Sequence, residues 1–248
     1  MSKGVNRRGL LTAGALLGAA PVLPVAAETV GGQGMPWQAN TAASPPPTTP
    51  GDQFTFFTQV EAAFIQAAVA RIIPKDELGP GALEAGVPTF IDRQLAGEYG
   101  AGARMYMQGP WAKGEKTQGY QSRMAPAQMY RAAIKAIDEA ANKNANAPFA
   151  KLAPADQDDF LKMLEHGKVE LSGGVDAKVF FALFLQNVIE GFFSDPIYGG
   201  NRDMAGWKLI GYPGARYDKR DAVKTYGQPY KLPPVGITGR PGWSTEKG

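Results

Sequence analysis

The sequence predicts a mainly α protein: a single compact helical domain with long loops, a proline-rich N-terminal linker and an extended C-terminal tail. Three observations lead there. Apolar residues between positions 54 and 193 recur at steps of three and four, the spacing of one helical face. Prolines stand just inside the starts of these segments, and a glycine stands just past the end of one. No convincing series of alternating apolar and polar residues marks a sheet.

The first helix is expected over residues 55–73, with Phe57, Val60, Phe64, Ala67, Ala68 and Ile72 on its face and Pro74 as its stop. After a turn at Gly79-Pro80-Gly81, a shorter helix over 87–99 carries Pro88 in its first turn and Phe90, Ile91 and Leu95 inward. Residues 100–125, rich in Gly, Gln and Lys, read as a long loop. Pro126 opens a third helix through about Asn142, with Met129, Tyr130, Ala133, Ile134 and Ile137 as its stripe. Pro154 sits in the first turn of a fourth, through Glu165, with Gly167 beyond its end. Residues 176–193 are apolar nearly all round, which implies a central buried helix. The stretch 194–214 is dense in turn formers, and 215–248 has no helical period.

The N-terminus has a different character. Arg7-Arg8 precede a weakly apolar run of Leu, Ala and Gly over residues 9–25, which resembles a twin-arginine export signal. The run is short for a membrane span, which needs about 20 strongly apolar residues. Val25-Ala26-Ala27 offers the small residues a signal peptidase reads, so residues 1–27 are expected to be removed. An uncleaved anchor is the other reading. Residues 28–53, with Gly31-Gly32-Gln33-Gly34 and Pro45-Pro46-Pro47, cannot sustain a helix and read as an extended linker.

Charge and composition exclude several functions. The 26 basic residues include Lys3, Arg7 and Arg8; the 23 that follow residue 27 balance the 23 acids. A neutral mature chain offers no sign of a nucleic-acid partner. The absence of cysteine removes disulfides, covalent haem and thiolate metal sites. With His166 the sole histidine, no multi-histidine metal site is possible, and its place before Gly167 suits a helix-end cation. No Gly-x-Ser-x-Gly elbow occurs, and Gly100-Ala101-Gly102 lacks the third glycine of a dinucleotide fingerprint. Asp156, Asp158 and Asp159 lack the glycine and glutamate of a calcium loop and read as charge favoured near a helix start. Asp92, Glu98, Asp138 and Glu139 read as ordinary helix-surface acids. The chain is therefore expected to hold no catalytic, cofactor or metal residues.

What remains is the glycine-rich stretch, where Tyr198, Asn201, Arg202, Asp203, Trp207 and Tyr212 stand out. In one reading they serve the fold: Asn201 or Asp203 caps a short helix, Arg202 pairs with Asp195, and Trp207 and Tyr212 pack on the central helix. In the other they anchor a protein interface, for which Tyr, Trp and Arg are the favoured residues.

The run Gly191-Phe192-Phe193-Ser194-Asp195-Pro196-Ile197-Tyr198-Gly199-Gly200-Asn201-Arg202-Asp203-Met204-Ala205-Gly206-Trp207-Lys208-Leu209-Ile210-Gly211-Tyr212-Pro213-Gly214 closely resembles the signature of the gluconate 2-dehydrogenase subunit 3 family. Ile72-Ile73-Pro74, Phe90-Ile91-Asp92 with Leu95-Ala96-Gly97, Gly119-Tyr120-Gln121 and Tyr130-Arg131 are similar to it as well, and the resemblance covers about residues 54–215. It implies the small, or gamma, subunit of a membrane-associated sugar, sugar-acid or polyol dehydrogenase of the periplasm. In such a complex a large GMC-type subunit holds FAD, and a multihaem cytochrome subunit holds haem c. The small subunit is then a non-catalytic partner that supports maturation of the flavin subunit and carries it to the twin-arginine translocase. A stand-alone exported enzyme or binding protein is the alternative.

Overall fold

The computed structural model describes residues 54–112, 114–115, 118–216, 223–230 and 232–237. The expected export signal and linker lie outside these residues. Six α-helices occur among them: α1 (Gln59–Ile72), α2 (Val87–Ala96), α3 (Pro126–Ala145), α4 (Pro154–His166), α5 (Ala177–Phe193) and α6 (Ala205–Ile210). No strand longer than an isolated bridge is present among them, so the mainly α expectation holds.

The start of α1 is later than the periodicity suggests because Thr58 and Glu61 form a capping box. The Thr58 N–H donates to Glu61 Oε2 at 2.8 Å, and the Glu61 N–H donates to Thr58 Oγ1. Val60, which the sequence pattern assigned to the inner face, is exposed, because the buried stripe is turned toward Ala62, Ile65 and Val69 and leaves Val60 in the first turn at its edge. The buried positions of α1 are Ala62, Phe64, Ile65, Ala68 and Val69. α2 stops at Ala96, short of the expected Tyr99, at the extended Gly97. α3 and α4 each begin on a proline whose missing N–H is no loss in a first turn. α4 ends on Gly167 in the left-handed conformation.

α5 is the axis, packing against α1, α2, α3, α4 and α6. Phe180, Phe184, Val188 and Phe192 are at most 1% exposed, in one cluster with residues of α1 to α4. Rings continue the contact: Tyr130 meets Phe180 edge-on at 5.5 Å, and Phe149 lies between Phe64 and Phe160. α5 is nonetheless not apolar all round. Its Lys178, Ala182, Gln186, Ile189 and Glu190 are exposed along one side. Asn187 is buried within it, where it accepts from the Tyr130 hydroxyl at 2.8 Å and donates to the Tyr99 hydroxyl at 2.9 Å. Burial pushes the Tyr130 hydroxyl well above its ordinary range, so it stays a neutral donor.

Asp92 overturns its assignment as a surface acid. It is 2% exposed, and its carboxylate receives the backbone N–H groups of Thr55, Phe56 and Phe57 and the Thr55 hydroxyl, all at 2.8–2.9 Å. This carboxylate fastens the entering chain to α2. Arg131 secures the same segment from α3, donating to the Phe56 carbonyl and to Glu61 while its guanidinium lies over the Phe56 ring. Asp138 is half-buried rather than exposed, and receives the Phe149 N–H. Glu98 and Glu139 are exposed, as expected.

A buried carboxylate with four donors leaves those donors stranded when it is removed. Asp92→Asn should therefore destabilise the chain by about 1–3 kcal/mol, and Asp92→Ala by at least as much, read as a lower urea midpoint with the same slope. An unchanged midpoint would deny Asp92 this fastening role.

Asp158 offers a pH test. Its two oxygens receive Nε and Nη2 of Arg71 at 2.7 and 2.8 Å, joining α4 to α1. Those hydrogen bonds hold the Asp158 carboxyl below its usual range. A lowered folded-state pKa stabilises above the unfolded value, and the contribution is lost as pH falls through the folded one. The gap in melting temperature between wild type and Asp158→Asn should accordingly be largest near neutrality and close on acidification. A gap that widens in acid would contradict the sign.

Candidate functional site

The last carbonyls of any helix lack intrahelical donors. At the end of α5 the glycine-rich stretch supplies them. The Ser194 hydroxyl donates to the Gly191 carbonyl at 3.2 Å, Trp207 Nε1 to the Phe193 carbonyl at 2.7 Å, and Asn201 Nδ2 to the Ser194 carbonyl at 2.8 Å. Asn201 Oδ1 in turn receives the Gly206 N–H in the first turn of α6. One buried amide thus ties the end of α5 to the start of α6.

Two glycines are required by close approach. A Cβ at Gly200 would collide with the Gly191 carbonyl oxygen, and one at Gly206 with that of Phe192. Both obstacles are backbone at the end of α5 and cannot swing aside. At these two positions the stretch lies against the helix end with no room for a side chain.

Asp195 does not pair with Arg202. Its carboxylate receives the backbone N–H of Ile197 at 3.1 Å and that of Ile237 at 2.7 Å. Around it the tail returns: Gly214 bridges Val235, which is 2% exposed, and the Ala215 N–H donates to the Val235 carbonyl. Residues 194–214 are thus held between the end of α5 and part of the C-terminal segment.

The six candidate residues divide by side. Asn201 is fully buried and Trp207 is 5% exposed, with its ring edge-on to Tyr212 at 5.2 Å. These two form the scaffold. Tyr198, Arg202, Asp203 and Tyr212 are exposed on its outer surface. Of the two capping candidates it is Asn201 that bonds to the short helix, while Asp203 points its share of the loop outward in an exposed position. Asn201, Asp203 and Met204 all have φ between 45° and 57°, the left-handed region that non-glycine residues occupy at a cost. The capping bonds of Asn201 and Trp207 hold that backbone in place.

His166 ends α4, where Nδ1 donates to the Lys162 carbonyl at 2.7 Å, in keeping with its reading as a helix-end cap. No cluster of three or more acidic or histidine ligands for a metal occurs among the described residues. No helix among them is long and apolar enough to cross a membrane.

The profile of the family described as gluconate 2-dehydrogenase subunit 3 matches residues 59–214, from the first residue of α1 to the glycine that meets the tail. The chain belongs to this family. No match occurs among curated proteins or among solved structures. As a gluconate 2-dehydrogenase subunit 3 protein, the chain is a subunit of a multi-subunit dehydrogenase complex. The matched span covers all six helices and every residue of the candidate surface.

The division into scaffold and surface is measurable. Trp207→Ala opens a cavity and strands the Phe193 carbonyl, so it should destabilise the free chain by about 3–5 kcal/mol. Arg202→Ala, at an exposed position, should stay within about 0.5 kcal/mol of wild type. Equal melting temperatures for the two variants would refute the division.

Proposed function

We propose that this chain is the non-catalytic small subunit of a periplasmic, membrane-associated flavin-dependent dehydrogenase acting on a sugar, sugar acid or polyol. Its work is to hold the flavin subunit, support its maturation and bring it to the twin-arginine translocase. FAD belongs to that large subunit and haem c to a cytochrome subunit. The observation that carries this reading is the family match over residues 59–214. Two features of the sequence support it. Arg7-Arg8 and the apolar run after them suit a route that exports folded proteins. The proline-rich segment before Phe54 separates that leader from the folded domain, so the translocase can engage the leader while the domain grips its cargo.

If export of the flavin subunit depends on this leader, Arg7→Lys with Arg8→Lys should strand it in the cytoplasm. Fractionated cells assayed with an artificial electron acceptor should then lose most periplasmic dehydrogenase activity and retain the flavoprotein inside. Undiminished periplasmic activity would reject the carrier role.

A further inference from the structure

We propose that the signature stretch carries a binding site for an extended peptide, and that the chain's own residues 232–237 are its resident, releasable ligand. This property belongs to the chain alone and does not depend on the complex it joins.

The first observation is how the segment is held. Val235 pairs with Gly214 in an isolated parallel bridge. Its N–H donates to the Pro213 carbonyl at 3.2 Å, and its carbonyl receives the Ala215 N–H at 2.7 Å. Two residues on, the Ile237 N–H donates to Asp195 Oδ2 at 2.7 Å. Upstream, Arg216 Nη2 donates to the Pro233 carbonyl at 2.6 Å, and its guanidinium lies over the Tyr230 ring, 5.5 Å from the centre. Each of these hydrogen bonds takes a main-chain group of the segment. That is the pattern by which an extended peptide is bound: main-chain bonds give affinity, and a side-chain pocket gives selectivity.

The second observation is the fit. Val235 is 2% exposed and Gly236 is buried, whereas Leu232 and Ile237 on either side are more than half exposed. A Cβ at Gly214 would collide with the Val235 backbone, so only glycine at 214 lets the segment approach. A Cβ at Gly236 would press on the Asp195 carboxylate, 3.3 Å from Oδ1. The site therefore selects a branched apolar residue followed by glycine. Asp195 and Gly214 lie within the span that matches the family, and the segment they receive lies beyond it.

The third observation is the segment's independence from the core. Val235 lies outside the hydrophobic cluster shared by α1 to α5. Among the described residues after Gly214, Val235 and Gly236 alone are buried. The fit is also incomplete, because Arg216 Nε is buried without a partner. A segment held by a few main-chain bonds and one apolar side chain opens locally without unfolding the helices. Tethering keeps it closed, since a ligand on a short linker meets its site at an effective concentration of about a millimolar. Its release uncovers the Asp195 carboxylate, the Pro213 carbonyl and the Ala215 N–H together.

The test uses the full chain with a specific protease site inserted after Gly227, in an exposed turn, and cut only once the folded protein is pure. Cutting removes the tether, so retention of the C-terminal fragment reads the affinity of the site itself. The fragment should co-elute with the domain at about 100 μM and be lost on dilution to about 1 μM. Val235→Ser in the same cut chain should weaken retention about tenfold. A synthetic peptide of residues 230–238 should displace the fragment, and the same peptide with Gly236→Val should not. The helical melting temperature should be equal before and after the cut. In the uncut wild type, the amides of Ala215, Val235 and Ile237 should be protected from hydrogen exchange, yet exchange faster than the buried amides of α5. Loss of the fragment at every concentration, or no protection at those three amides, would overturn the site. Retention unchanged by Val235→Ser would overturn it as well. Protection equal to that of α5, with a melting temperature lowered by the cut, would make the segment part of the core and reject its role as a releasable ligand.

Discussion

The C-terminal end of α5 is the constraint on which the rest depends. A long apolar helix buried against every other helix must still satisfy its final carbonyls, and water cannot reach them freely. Ser194, Asn201 and Trp207 do this from within the next fourteen residues. The signature stretch is therefore first a capping device. Gly200 and Gly206 lie against helix backbone, its asparagine joins two helices, and its tryptophan bonds to the last carbonyl of α5. The outward display of Tyr198, Arg202 and Tyr212 follows from this, because a loop pinned so closely on one side has only the other to present.

The same economy governs the entry of the chain into the domain. The chain enters at residues 54–57, where no helix yet exists to pair its N–H groups. Asp92 collects three of them in one buried carboxylate, and Arg131 takes the Phe56 carbonyl. A segment that would fray is thereby fixed to α2 and α3. α2 touches both regions. Its Asp92 holds the entering chain, and Arg93, the next residue, is seated against Gly199 of the signature.

Much of the helical layout was legible in the sequence, for physical reasons that particular residues illustrate. Met129, Tyr130, Ala133, Ile134 and Ile137 repeat at helical spacing and are all buried in α3. Pro126, Pro154 and Gly167 mark ends because their backbone preferences allow little else. Val60 misled because the face of α1 that packs inward is centred on Ala62, Ile65 and Val69, and the small alanines on it gave a weaker apolar signal than Val60. Asp92 was missed although its spacing to Leu95 placed it on the inner stripe of α2. An acid there is inward only when distant donors await it, and those lie more than 30 residues away.

Sequence alone determined the helical class, the central position of α5, the absence of cysteine and of any multi-histidine site, and, through the length of its signature, the family. These follow from local periodicity, from residue inventory and from a long unbroken motif, none of which needs the fold. The tertiary structure decided which side each signature residue faces. Asn201 and Trp207 turned inward because unpaired helix carbonyls lay there, and Tyr198 and Arg202 were left outside. It also brought Arg93 to Gly199 across more than a hundred residues of chain. Such a juxtaposition has no local signal, because it is fixed by how α2 packs on α5 and not by the residues beside it.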